Sequence, residues 1–281
     1  MHTLVLQSDF GLDDGAVSAM YGVAVGVDSS LRITDLTHNI PPYDIWEGSY
    51  RLAQVAAYWP EGTVFVSVVD PGVGSDRLSV VARTATGHLV VTPDNGTLTH
   101  LHHFVGITEL RQIDETVNRR AGSEESYTFH GRDIYAYTGA RLAAGVISYE
   151  QIGPAVDLSR LVTLPVTEPE ITDGSVHGCI DTLDVRYGSL WTSIPRALLT
   201  ELGIGHGDRV QLRVHHNGSA VHSAQMSYAR SFADVEVGES LLYINSLDRA
   251  AIAINRGHYA RAFSLGTGES WRVSITPVTQ S

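Results

Sequence analysis

The sequence contains one cysteine, Cys179, in 281 residues. A disulfide within the chain is excluded, and so is a zinc site built on cysteine thiolates. Cys179 itself reads as a small buried hydrophobe. No stretch approaches the roughly 18 consecutive apolar residues that a membrane-spanning helix needs. The opening residues, MHTLVLQSDF, are too short and too acidic for a secretory leader and read as a first buried strand. A cytoplasmic location is therefore expected. Positive charge is also scarce: 19 basic residues face 31 acidic ones, for a net charge of −12. The basic residues form no clustered run, which argues against a nucleic-acid partner. An acidic surface mildly favours the approach of a cationic small molecule. Neither an internal repeat nor a low-complexity segment is present.

The sequence does have an ordinary soluble composition, with 43% apolar and 18% charged residues. Its length allows one large domain or two modest ones. In the first half, strand and helix signals alternate: Leu4 to Gln7 as a strand, Gly15 to Val25 as a helix, Arg32 to Leu36 as a strand and Asp44 to Trp59 as a helix. The β-branched run Val64 to Val69 suits a central strand buried on both faces. Ser79 to Thr92, broken at Thr86-Gly87, reads as a hairpin. Ile134 to Ala144 reads as a helix closed by Gly145. This alternation predicts an α/β domain with a mostly parallel central sheet over residues 1–165. The segment Leu164 to Gly174, rich in Pro, Thr and acids, reads as a linker. Beyond it, short strand-like runs separated by turns such as Asn217-Gly218 predict an all-β antiparallel barrel or sandwich over residues 174–281.

Three clusters carry chemistry. Ser8-Asp9-Phe10-Gly11-Leu12-Asp13-Asp14 follows strand 1, at the carboxyl end where open α/β sheets bind ligands. Carboxylates there suit ribose hydroxyls or a metal cation, although Asp13 or Asp14 could simply cap the next helix. Asp70-Pro71-Gly72-Val73-Gly74-Ser75-Asp76-Arg77 ends the central strand. Its glycines permit a tight turn that would bring Arg77 back to Asp70, and the bland alternative is a surface turn with a stray ion pair. Thr128-Phe129-His130-Gly131-Arg132-Asp133 places His130 before a helix, with Gly131 leaving space beside the imidazole. Its alternative is a structural histidine. The pairs His102-His103 and His215-His216 lack the spacing of a helical zinc pair. Pro93-Asp94-Asn95-Gly96 reads as a structural turn. Trp191 and Phe232 are core or adenine-stacking residues.

Taken in order, SDFGLDD, HNIPPYDIWEG, DPGVGSDR, PDNGTLT, FHGRDIYA, a Tyr-Gly-Ser-Leu-Trp-Thr segment and an Asn-Ser segment run through nearly the whole chain. This series resembles the S-adenosyl-L-methionine (SAM) hydroxide adenosyltransferases, relatives of the SAM-dependent fluorinases and chlorinases. The resemblance implies an N-terminal α/β domain and a C-terminal β barrel. It implies a homotrimer with sites at subunit interfaces, and hydrolysis of SAM at ribose C5′ to adenosine and L-methionine without metal or organic cofactor. It also implies an Asp-Arg-His set at Asp70, Arg77 and His130 that positions and activates water. Asp9 matches the residue that holds the ribose hydroxyls, and Tyr43 an aromatic beside the ribose. Asp14, Asp184 and Ser246 match positions near the methionine moiety, while Ser189 and Phe232 match positions around the adenine.

Two positions depart from the pattern. Ser189 stands where many relatives have Asn, and Leu247 stands where the halogenating relatives have an Arg. Three rival readings remain at this stage: a SAM-dependent halogenase, a calcium-dependent nucleoside hydrolase and a nucleoside-binding module without catalysis. Against the first, halogenating relatives carry aromatic residues at the Asp70 and His130 positions, and fluorinases carry Ser where Gly131 stands.

Overall fold

The computed structural model describes residues 3–278. The chain divides between Leu164 and Pro165 into two compact units, which are taken in turn.

The first unit is built on a seven-stranded sheet. Its strands are β1 (Thr3–Ser8), β2 (Arg32–Thr37), β3 (Val64–Val68), β4 (Ser79–Thr84), β5 (Leu89–Pro93), β6 (Ile107–Gln112) and β7 (Ala155–Val156), in the order β2-β1-β3-β5-β4-β6-β7. The pairings β2–β1, β1–β3 and β3–β5 are parallel, and β4, β6 and β7 extend the sheet antiparallel. The helices are α1 (Ala16–Val27), α2 (Ile45–Ala56), α3 (Thr99–Phe104), a π-helix over Gly131–Ala136 and its continuation α4 (Tyr137–Ala143). Every residue of β1 and β3 is buried, and strand alternation deals their side chains to two cores. Leu4, Leu6, Val64, Val66 and Val68 pack with Met20, Ile134, Tyr135 and Ala140 from α1, the π-helix and α4. Val5 and Phe65 pack on the other face with Leu52 from α2, Leu101 from α3 and Leu98 just before it. The α/β architecture expected from sequence is thus present. The pattern reading did not anticipate α3, β6 or β7. In β6, Thr108 and Glu109 are exposed, so the strand lacks the apolar run that marks a central one.

The second unit contains β8 (Glu170–Thr172), β9 (Ser175–Leu183), β10 (Leu190–Pro195), α5 (Arg196–Glu201), β11 (Arg209–His216), β12 (Ser219–Tyr228), β13 (Ser240–Ile244), β14 (Arg249–Ile254), α6 (Tyr259–Phe263) and β15 (Gly268–Pro277). The order β10-β14-β13-β12-β11-β15-β9 closes through a β9–β10 pairing into a seven-stranded barrel, with β8 added on β9. All its pairings are antiparallel except β12–β13. Asn217 and Gly218, both at positive φ, make the two-residue β11–β12 hairpin, as a primed turn requires. Val176, Ile180, Leu190, Leu212, Val214, Ile252 and Ile275 fill the barrel. Cys179 is fully buried on β9, its thiol 3.2 Å from Asp181 Oδ1.

Gly139 packs α4 directly against β3 and β1. A Cβ there would lie 2.4 Å from Val66 Cγ2 and 3.3 Å from Leu4 Cδ1. Gly139→Ala should therefore lower the unfolding free energy by about 1–3 kcal/mol through overpacking, measured by urea titration. An unchanged midpoint would mean that α4 shifts freely on β3.

Candidate active site

β1 and β3 are adjacent and parallel, so their carboxyl ends open on the same edge of the sheet. Asp9 follows β1, and Asp70 lies two residues beyond β3. The turn after Asp70 is closed by Val73 N–H donating to the Asp70 carbonyl (3.2 Å) and Ser75 N–H to that of Gly72 (3.0 Å), with Gly74 at φ +82°. It returns the chain so that Arg77 meets Asp70 in a bidentate pair: Nε to Oδ1 at 2.7 Å and Nη2 to Oδ2 at 2.5 Å. Both side chains are nearly buried, 10% and 5% exposed. Pro93-Asp94-Asn95-Gly96 has the structural role read for it. Asn95 Nδ2 donates to the Val69 carbonyl at 2.9 Å and fixes the residue before Asp70.

His130 immediately precedes the π-helix and is 4% exposed. Arg77 Nη2 lies 3.1 Å from its Nδ1. A guanidinium only donates, so this contact is a hydrogen bond only when the ring is neutral and Nδ1 carries the lone pair, which assigns the proton to Nε2. Burial lowers the His130 pKa, reinforced by Arg77 and Arg119 and opposed by Glu115 and Asp70. Arg77 shows the reverse balance. Burial opposes its charge, but the Asp70 hydrogen bond and surrounding negative charge hold its pKa above the ordinary value. Gly131 differs from its sequence reading in one respect. The space it leaves is filled by Phe10, whose ring carbons would stand 2.8 Å from an added Cβ. Gly131 therefore lets β1's loop pack on the start of the helix.

Asp9 Oδ2 accepts the Tyr43 N–H at 2.9 Å. That bond holds Tyr43 at φ +69°, a left-handed conformation that costs a non-glycine residue about 1 kcal/mol or more. Behind Asp9, His38 grips the same loop twice. Its Nδ1 lies 2.6 Å from Ser8 Oγ, and its carbonyl accepts Gly11 N–H at 2.8 Å. Its Nε2 lies 2.9 Å from Asp35 Oδ1, which also accepts from Tyr21 OH at 2.7 Å.

Asp9, Phe10, Tyr43, Asp70, His130 and Gly131 line one open pocket of about 240 Å³. Arg77 supports it from behind Asp70. Asp184, Ser189 and Phe232 line a separate pocket of about 790 Å³ in the second unit. There Asp184 Oδ1 accepts the N–H groups of Arg186 (3.2 Å) and Tyr187 (3.3 Å), and so shapes the β9–β10 turn. Phe232 packs on Tyr243 at 5.1 Å between ring centroids. Trp191, on β10, is only partly buried. Asp14 and Ser246 are exposed and line neither pocket. Asp14 accepts Ala16 N–H at 2.8 Å, ahead of α1. Among the described residues, no three His, Cys, Asp or Glu side chains gather as metal ligands.

Sequence reasoning missed Ser79, Glu115 and Arg119. Ser79 Oγ accepts from Arg77 Nη1 at 3.1 Å and donates to Glu115 Oε1 at 3.1 Å. Glu115 Oε2 in turn accepts from Arg119 Nη2 at 2.7 Å. No motif marked these residues, because their spacing acquires meaning only once β4 and the segment after β6 lie side by side.

Truncating Asp70 leaves the Arg77 cation buried without its partner. Asp70→Ala should cost about 3–5 kcal/mol of unfolding free energy, read by chemical denaturation. A loss below about 1 kcal/mol would place Arg77 in water.

A family model described as the SAM hydroxide adenosyltransferase N-terminal domain matches residues 4–153, and one for the C-terminal domain matches residues 178–272. The chain is 36% identical over 277 residues to an (R)-S-adenosyl-L-methionine hydrolase of Salinispora tropica, covering 95% of each chain. It is 27% identical over 297 residues to a fluorinase of Actinopolyspora mzabensis, covering 96% of each. A crystal structure of an uncharacterized conserved protein from Thermotoga maritima superposes with a TM-score of 0.87 at 29% identity, covering 97% of this chain and 99% of that one. With both halves matched in order on a shared fold, the chain belongs to the SAM hydroxide adenosyltransferase family.

Proposed function

We propose that the protein hydrolyses SAM by attack of water at ribose C5′, releasing adenosine and L-methionine. The observation that carries this reading is the gathering of Asp9, Asp70 and His130 around one pocket, with Asp70 clamped from behind by Arg77. A cationic sulfonium is already a good leaving group, so the demand on the enzyme is to aim a weak nucleophile along the line of the C–S bond.

Asp70 holds that water, and His130 borders it as a wall of the pocket, with both of its ring nitrogens turned to arginines. Each Asp70 oxygen gives one lone pair to Arg77 and retains capacity for a further bond. His130 Nδ1 is engaged by Arg77, which leaves Asp70 as the proton acceptor. As the C5′–O bond forms, the water proton becomes strongly acidic, and a carboxylate suffices to take it. The C–S electron pair leaves on sulfur as a neutral thioether, and the proton passes from Asp70 to solvent. Asp9 accepts from the ribose hydroxyls and Tyr43 packs beside the sugar. Ser189 and Phe232 surround the adenine, while Asp14, Asp184 and Ser246 serve the methionine moiety. The reaction uses no metal or organic cofactor, the working form is a homotrimer with sites formed between subunits, and the location is cytoplasmic. The Asp70 carboxylate also opposes halide binding, which supports hydrolysis over halogenation.

Incubation with SAM in ¹⁸O-labelled water should yield adenosine labelled at the 5′-hydroxyl together with methionine. A 5′-halo nucleoside formed in added halide, with no labelled adenosine, would overturn the proposal. His130→Ala and Asp70→Asn should each lower kcat by about 10²-fold or more. Asp9→Ala should raise KM by about tenfold, the cost of a charge-assisted hydrogen bond. Near-normal turnover in both of the first two variants would remove them from the chemistry.

A further inference from the structure

Five side chains close a ring of polar contacts behind the pocket, and Asp70 is joined to it through Arg77. Asp70 pairs with Arg77. Arg77 donates to Ser79, and Ser79 to Glu115. Glu115 accepts from Arg119, and Arg119 Nη2 stands 3.5 Å from His130 Nε2. His130 Nδ1 returns to Arg77 at 3.1 Å. Both nitrogens of one imidazole thus face guanidinium groups. A neutral ring has one lone pair to offer and a protonated ring has none, so a proton on His130 would leave two N–H groups opposed to two cations. The shorter contact assigns the lone pair to Nδ1, and the longer one is where an N–H confronts Arg119. Arg119 is itself fixed: 8% exposed, paired with Glu115 and stacked 4.9 Å over the Tyr127 ring, which lies 6.1 Å from the imidazole.

Within this network the charges balance when the imidazole is uncharged. Asp70 and Glu115 supply two negative charges, and Arg77 and Arg119 supply two positive ones. Tyr135 OH, 3.2 Å from Ser79 Oγ, is pushed well above the phenol range by burial and adds no charge. Asp9 lines the same pocket as His130 but, among the described residues, makes no contact with the ring of polar side chains behind it.

We propose that Glu115 and Arg119 are positioning residues that set the protonation state of His130, with Arg119 holding the imidazole neutral and Glu115 limiting how far. The inference deepens the hydrolase reading: a neutral His130 leaves Asp70 to receive the proton, and acidification disables the site by charging the ring. Two substitutions next to the same histidine then act in opposite directions, which a structural role would not produce. Removing the Arg119 cation raises the His130 midpoint, and removing the Glu115 anion lowers it.

The test follows His130 by NMR in the intact protein without substrate, its signal identified by loss in His130→Ala. Arg119→Gln should move the midpoint up by about one pH unit, and Glu115→Gln should move it down. Arg119→Lys, which keeps the charge, should restore most of the original value. The acid limb of the kcat profile for SAM should move in the same senses. If Arg119→Gln does not fold, Glu115→Gln and Arg119→Lys carry the test. Midpoints that stay fixed or move in the same direction would overturn the inference. A wild-type protein without SAM turnover but with the two opposed midpoint shifts would sink the hydrolase reading and leave the charge relay standing.

Discussion

The bidentate contact between Arg77 and Asp70 is the constraint from which the rest of the first unit's pocket follows. Two nearly buried ions are tolerable only if each satisfies the other and the remaining polar atoms find partners. The turn after β3 supplies the geometry, with Gly74 in a conformation that other residues enter only under strain. Once the pair forms, the guanidinium has donors left over, and these reach His130 and Ser79. One arginine therefore ties the end of β3, the start of β4 and the start of the π-helix to a single point. All nineteen basic residues of the chain are arginine. The planar fork, permanently charged, suits this use in a way that a flexible ammonium does not.

Asp9 is held by a different device. Its carboxylate fixes Tyr43 in a left-handed backbone conformation, while His38 grips the surrounding loop through both side chain and carbonyl. Local strain is tolerated where neighbouring contacts over-determine the conformation, and here those contacts come from β1 and from the loop after β2. The pocket is thus framed by segments that are far apart in sequence but share one edge of the sheet.

Much of this was legible beforehand. The β-branched run at Val64 to Val69 announced a central strand, and the glycine-bearing turn after it announced a return of the chain toward Asp70. What could not be read was the outer half of the polar network. Glu115 and Arg119 sit four residues apart in a segment without regular structure, and their spacing resembles any solvated ion pair. Only the antiparallel addition of β6 to β4 brings them to Ser79 and His130. Gly131 was read as open space because a missing side chain looks the same from sequence whether the vacancy is empty or filled. Phe10, more than a hundred positions earlier, fills it. Strands such as β6 and β12 lacked a clean apolar run or alternation, since a strand near the sheet's margin or in a barrel needs only part of its surface buried.

The π-helix over Gly131–Ala136 has a bearing on how this chain can change. Such a segment is a helix that carries one surplus residue, accommodated by widening a single turn. Because the widened turn takes up that residue locally, the imidazole before it and α4 after it keep the facing an unbroken helix would give them, and the extra residue alters only the segment itself. Change in this segment is therefore limited by its packing more than by its length: Gly131 admits no side chain beside Phe10, and Asp133 to Ala136 are fully buried.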